Sequence, residues 1–140
     1  MTDRRQSQHH LVAGGGGFVG SHLVDLLLSR GDTVTIVDNF VTGRRSNVAH
    51  LNGNDRFTLI EHDITRPLPV SVTERTYDTV LDLASPASPD DFKTMPLEIL
   101  AVGSTGTRNL LDLARQQRAR FFLASTSEVY GDPLEHPQRE

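Results

Sequence analysis

Apolar positions recur along this chain with two periods. Short, nearly continuous apolar and β-branched runs appear at "HLVA" (10–13), "TVTIVD" (33–38), "RFTLIEHDIT" (56–65), "YDTVLDLAS" (77–85) and "RFFLAS" (120–125). Such runs, bounded by turn residues, predict buried strands, the third ending at Asp63. Between the first two, Val19, Leu23, Leu26 and Leu27 fall at helical spacing, and Gly31 marks the helix stop. A second helix is predicted over 96–118, with an apolar stripe of Leu97, Leu100, Ala101, Leu110, Leu111 and Ala114 and with Pro96 in its first turn, where no N–H is needed. Gly103 and Gly106 lie inside it; each costs about 1 kcal/mol relative to Ala, which implies close approach of another helix or of a ligand.

The remaining segments read as connections. "NFVTGRRSNVAHL" carries a turn at Thr42–Gly43 and a helical turn ending near Leu51. "RPLPVSVTERT" is a surface connection with at most a short helix, and Pro86, Pro89 and Pro96 break the stretch between them into a loop. The end, "TSEVYGDPLEHPQRE", leaves the sheet without another clear element. Strands alternating with helices predict an α/β fold, a Rossmann-like doubly wound parallel sheet of order 3-2-1-4-5. Residues 1–9 are expected to be a disordered lead-in and residues 10–140 a single Rossmann-like domain.

The four glycines from Gly14 to Gly17 sit between the first strand and the leucine-rich helix. A flexible linker would be followed by polar sequence; here order resumes at once. In a strand–turn–helix, Gly14 lets the chain turn sharply, Gly17 lets backbone approach a pyrophosphate, and Gly20 lets the helix pack closely on the sheet. The helix start offers unpaired N–H groups and a positive dipole end to that phosphate. Asp38, roughly 20 residues beyond the glycines, can accept hydrogen bonds from an adenosine ribose. Its charge also repels a 2′-phosphate, so NAD is expected in preference to NADP. A phosphate loop of the Gly-Lys-Ser/Thr kind is excluded, because none follows the glycines.

In such sheets ligands bind at the carboxyl ends of the strands, where the strand order reverses. Asp38, Asp63, Ser85 and the run Ser125, Thr126, Ser127 all fall at predicted strand ends. Composition narrows the partners. The net charge is −4, with 14 basic residues scattered, which argues against nucleic acid. No apolar run reaches the roughly 18 residues of a membrane span. Cysteine is absent, so disulfides and thiolate metal sites are excluded and a cytoplasmic location is expected; the histidines imply no metal site.

These residues resemble the extended short-chain dehydrogenase/reductase family, and within it the UDP-glucuronate decarboxylases. The resemblance runs from Leu11 to the end and is carried by "GGGGFVGSHL", "VDNFVTGRRSNV", "HDIT", "LASPASP" and, most specifically, "FLASTSEVYGDPLEHPQ". It implies a tightly held NAD and a nucleotide-sugar substrate, UDP-glucuronate: C4 is oxidised, the C5 carboxylate leaves as carbon dioxide, and the C4 ketone is reduced again to give UDP-xylose. By the same resemblance Gly14, Gly17, Phe18, Val19, Gly20, Asp38, Asn39, Phe40, Thr42, Gly43, Asp63 and Ile64 should surround the adenosine and pyrophosphate. Leu83, Ala84 and Ser85 should line the passage to the nicotinamide, and Pro86, Ala87 and Ser88 the sugar. Thr126 matches the residue that hydrogen-bonds the C4 oxygen, Glu128 an acid of the intermediate steps, and Ser127 lies between them. On residue types alone, "STSEVYG" reads equally as a strand end whose hydroxyls cap backbone, with Tyr130 packed beneath.

The family's Tyr-x-x-x-Lys base is not present: Lys93, the one lysine, has no tyrosine four positions before it. Asp82 stands where relatives often carry His or Asn, and Gly103 where they commonly carry Asn. The expectation is therefore a truncated portion of such an enzyme with little or no turnover of its own. A dTDP-glucose 4,6-dehydratase or a 4-epimerase shares the oxidation step, and a non-catalytic NAD(H)-binding module is the alternative from another class. The resemblance also implies a homodimer through helices that include the one after Pro96.

Overall fold

The computed structural model describes residues 6–137. Residues 1–5 of the expected lead-in, and the last three residues, lie outside the described residues. Five strands, β1 (His9–Ala13), β2 (Thr33–Asp38), β3 (Phe57–Glu61), β4 (Thr79–Asp82) and β5 (Arg120–Leu123), form one sheet of order β3-β2-β1-β4-β5. Every neighbouring pair is parallel, so the predicted Rossmann-like order is the observed one. The lead-in is shorter than expected. His9 already belongs to β1, Ser7 Oγ donates to the Gly31 carbonyl at 2.9 Å, and Gln8 N donates to Asp32 Oδ1 at 3.0 Å.

The continuous apolar runs are explained by burial on both faces of the sheet. On one face Leu11, Ala13, Val37 and Val80 pack with Leu110, Leu113 and Ala114 of α5 (Thr107–Gln117) and with Val72 of α2 (Val70–Thr73). On the other, Val12, Val34 and Ile36 pack with Val24, Leu27 and Leu28 of α1 (Phe18–Ser29). Val48 and Leu51, from two short 3₁₀ turns at Arg45–Asn47 and Ala49–Leu51, complete that side. The buried stripe of α1 is thus Gly20, Val24, Leu27 and Leu28; Val19 and Leu26, expected on it, are exposed.

Two segments differ from expectation. The proline-rich stretch holds a helix, α3 (Pro89–Thr94), because Pro89 occupies its first turn, where no N–H is required, and Ser88 Oγ accepts from Asp90 N. The long helix after it is interrupted: α4 (Pro96–Ala101) passes through a π-helical turn at Val102–Gly106 before continuing as α5. Leu97 and Leu100 of α4 are exposed rather than packed. After β5 the chain makes a 3₁₀ turn at Ser127–Tyr130.

Candidate cofactor site

The loop from Gly14 to Gly17 leaves β1 at its carboxyl end. Gly14 has φ +77°, a left-handed conformation that L side chains rarely adopt, and an added Cβ would lie 2.7 Å from the Leu83 carbonyl oxygen. The next two glycines have reasons that the sequence did not disclose. A Cβ on Gly15 would strike Ile36 Cγ2 at 2.5 Å, and one on Gly16 would strike the Phe40 ring at 2.5 Å. Gly20 does permit close packing, but against the glycine turn rather than the strands: its Cβ would come 2.1 Å from the Gly14 oxygen. Only Gly17 of this loop has an open side: among the described residues a single neighbour, the Gly14 oxygen, comes within reach of its Cβ, at 3.2 Å.

Gly17 also caps α1 and has no side chain with which to hydrogen-bond the first amides of that helix. The first turn holds no acid, so its N–H groups and positive dipole end are left for an anion. Across the loop, Asp38 ends β2 nearly buried, with Oδ2 accepting from Gly16 N at 2.8 Å and Oδ1 from Phe40 N at 2.7 Å. Each oxygen keeps a second lone pair for a further donor. The β2 loop is tied to the glycine turn from the other side: Arg44 N and Asn47 Nδ2 both donate to the Gly16 carbonyl, at 3.0 and 2.9 Å. Gly43 is needed here as well, because its Cβ would crowd Asp38 Oδ1 and the Gly16 carbonyl at 3.1 Å.

A cleft of about 230 Å³ opens beside this loop at the carboxyl ends of β1, β2, β3 and β4. Of the residues singled out in the sequence, it brings together Gly14, Gly17, Asp38, Asn39, Thr42, Gly43, Asp63, Ile64, Leu83, Ala84, Ser85 and Pro86. Asp63 makes a local turn, its Oδ1 accepting from Thr65 N and Thr65 Oγ1 at 2.9 and 2.8 Å. Phe18 and Val19 stand beside the cleft at the start of α1 with exposed side chains, and Gly20 and Phe40 pack around the loop rather than line the cavity. The Phe40 ring lies 4.5 Å from the Arg45 guanidinium, which is also paired with Glu61. Ala87 and Ser88 are exposed outside the cleft, and so are Thr126, Ser127 and Glu128, on the same strand-end edge beyond β5.

Sequence reasoning missed a wall. Met95, Glu98, Ala101 and Val102, from α4 and the π-helical turn, line the cleft opposite the strand ends, as do His62 and Thr65. The charged side chains on the cleft wall, Asp38, Asp63 and Glu98, are acids. Beneath the β4 end sits the buried carboxyl of Asp82; Oδ2 accepts from Thr107 Oγ1 at 3.0 Å and Oδ1 from Ala84 N at 3.2 Å. Burial pushes the Asp82 carboxyl above the usual carboxylate range, and these two hydrogen bonds only partly offset that rise.

A glycine turn into an uncapped helix, an acid at the next strand end and a cleft where the strand order reverses define a Rossmann-type dinucleotide fold of the nucleotide-sugar epimerase and dehydratase class. The chain belongs to the GDP-mannose 4,6 dehydratase family, which it matches over residues 11–140. It is 53% identical over 130 residues to UDP-glucuronic acid decarboxylase 1 of Arabidopsis thaliana, a match covering 93% of this chain and 29% of that protein. Among solved structures it resembles UDP-N-acetylglucosamine 4-epimerase from Methanobrevibacter ruminantium in complex with UDP-N-acetylmuramic acid (TM-score 0.83, 28% identity, 96% of this chain and 43% of that one). It also resembles the Bordetella bronchiseptica enzyme WbmH in complex with NAD+ (TM-score 0.77, 28% identity, 93% of this chain and 43% of that one). The chain therefore spans less than half the length of each of these relatives. No helix among the described residues is long and apolar enough to cross a membrane.

Proposed function

We propose that this chain binds NAD in the cleft above Gly17 and serves a nucleotide-sugar enzyme of the UDP-glucuronate decarboxylase kind. The observation that carries the reading is the open side of Gly17 at an uncapped helix start, with the Asp38 carboxylate across the same cleft. The residues fit the cofactor. The bare helix start takes the pyrophosphate, Asp38 takes the adenosine ribose, and the acidic wall disfavours the extra phosphate of NADP. Bound NAD would supply the hydride acceptor and donor. The chain's own residues orient it: Leu83, Ala84 and Ser85 form the wall along the β4 end, and Asp63 and Ile64 the wall along the β3 end.

The decarboxylase reading is supported by the 53% identity and by the match of Thr126 and Glu128, with Ser127 between them, to that group's residues. In this reading the Thr126 hydroxyl hydrogen-bonds the sugar C4 oxygen, Glu128 serves the later proton steps, and Pro86, Ala87 and Ser88 approach the sugar. A homodimer through α4, whose Leu97 and Leu100 are exposed, and an aqueous cytoplasmic setting belong to the same proposal.

Calorimetric titration tests the cofactor assignment. NAD is expected to bind at least about tenfold more tightly than NADP, and Gly17→Val is expected to abolish binding without unfolding the chain. Equal affinities would remove the role of Asp38, and retained binding by Gly17→Val would mean that the loop does not touch the pyrophosphate. UDP-glucuronate binding to the NAD-loaded chain, in preference to UDP-glucose, is the outcome expected of the decarboxylase reading.

A further inference from the structure

The wall that the sequence did not disclose is joined to both sides of the cleft by a few residues at one turn of helix. Thr107 Oγ1, the first residue after the π-helical turn, donates to Asp82 Oδ2 at 3.0 Å; its alternative acceptor, the Val102 carbonyl, is longer at 3.4 Å. Asp82 in turn accepts from Ala84 N, whose residue lines the cleft at the β4 end. Two residues on, Asn109 Nδ2 donates to the Ile64 carbonyl at 2.8 Å and the Arg66 carbonyl at 3.2 Å, in the loop that follows β3. Gly106 presses against the same loop, since an added Cβ would lie 2.8 Å from Ile64 Cδ1. Ile64, Ala84 and Val102 all line the cavity.

The π-helical turn makes this possible. Such a turn inserts a residue relative to α-helical pitch and rotates everything after it by about 100° around the axis. In an uninterrupted helix Thr107 and Asn109 could not both point where they do while Met95, Glu98 and Ala101 kept their places on the cleft wall. π-turns are rare and weaker than α-helix, so one retained beside a ligand cleft needs a compensating contact.

We propose that Thr107 and Asn109 are positioning residues: the π-turn aims them at the β4 and β3 loops, clamping both walls of the cofactor cleft to the helix that forms its third. Thr107 acts through Asp82 on Ala84, and Asn109 acts on Ile64. Neither is required to touch the cofactor. The proposal rests on the cofactor reading above for what the cleft holds, but the clamp itself is a property of the chain without ligand.

The test uses the 140-residue chain with Thr107→Val, Thr107→Ser and Asn109→Ala, read by amide hydrogen exchange without ligand and by NAD calorimetry. Thr107→Val keeps the shape and removes the hydroxyl; it is expected to speed exchange at the amides of Leu83, Ala84 and Ser85. Asn109→Ala is expected to do the same at Ile64, Thr65 and Arg66. NAD affinity should fall about fivefold to tenfold in each, the size of one lost hydrogen bond. Thr107→Ser, which restores the donor, should return both readouts to within about twofold of the original chain. Unchanged loop exchange in both variants would overturn the clamp, and loosened loops with undiminished NAD affinity would overturn its positioning of the cofactor. If Thr107→Val proves too unstable to measure, Asn109→Ala and the serine rescue decide the matter. Loosened loops in a chain that never bound NAD would uphold the clamp and overturn the cofactor reading instead.

Discussion

Gly17, the cap of α1, and Gly20, in its first turn, stand three residues apart and answer to different neighbours. A methyl on Gly20 would be driven to 2.1 Å from a backbone oxygen that cannot move without opening the turn. Gly20→Ala is therefore expected to destabilise the fold by about 2 kcal/mol or more, measured by urea unfolding. Gly17→Ala meets one oxygen at 3.2 Å and an otherwise open cleft, so it should cost less than about 1 kcal/mol in the same assay while weakening NAD binding. Equal stability losses in the two variants would contradict the division of roles. Asp82 gives a second prediction of this kind. Its folded carboxyl has a raised pKa because burial penalises the charge. The charged form thus costs stability, a cost that appears as pH rises from the unfolded value of about 4 to the folded pKa and stays constant above it. Asp82→Asn keeps an acceptor for Ala84 N, can donate to Thr107 Oγ1, and carries no charge. Its stability relative to the original chain should rise with pH through that window and then level off; a difference that does not vary with pH would sink the assignment.

At the scale of elements, the interrupted helix separates what patterning reveals from what it conceals. Both glycines inside it raised the question of close approach, and the structure answers differently for each. Gly106 abuts Ile64, whereas among the described residues nothing beyond its own helix backbone lies within 4 Å of a Cβ on Gly103. Gly103→Ala is expected to stabilise the chain by about 0.5–1 kcal/mol in thermal or urea unfolding, since alanine gains helix propensity and meets no clash. Gly106→Ala should gain nothing, because Ile64 must move aside; a stabilisation equal to that of Gly103→Ala would show that the Ile64 contact is not limiting. The strands and their order were legible because buried parallel strands write continuous apolar runs, and alternation with helices constrains their succession. The helix α3 was not, because three prolines within eleven residues read as breaks, while one of them, Pro89, in fact starts a helix behind the Ser88 cap. The π-turn leaves no pattern, since its residues, "VGSTG", would suit an ordinary helix poorly whatever their winding. The glycine turn and Asp38 were visible as a motif, but the need for Gly15 and Gly16 was not, because it comes from Ile36 and Phe40, residues distant in sequence. The same is true of the α4 wall, whose contact with the strand ends depends on tertiary packing alone.

Across the whole molecule the two faces of the sheet are covered unequally. One face carries α5 and α2, reaching from β2 to β5 through Val37, Val80 and Phe121. The other is covered by α1 and the 3₁₀ turns over β1, β2 and β3 and reaches Leu81 of β4, but its described helices stop short of β5. The register pairs Phe122 with Leu81, yet Phe122 is 52% exposed and Leu123 48% exposed, while Val129, Tyr130 and Leu134 beyond them are exposed too. An apolar strip on an edge strand offers both unpaired backbone groups and a sticky surface, so it favours association with another chain. Sedimentation of the 140-residue chain is therefore expected to show concentration-dependent self-association, and Phe122→Lys to reduce it. Because the side chain is half in solvent already, that substitution should change unfolding stability by no more than about 0.5 kcal/mol. Leu97→Lys in α4, 74% exposed, discriminates the two available surfaces. If association runs through β5, only the Phe122 variant suppresses it. Suppression by Leu97→Lys alone would move the contact to the helical face and support the dimer proposed there.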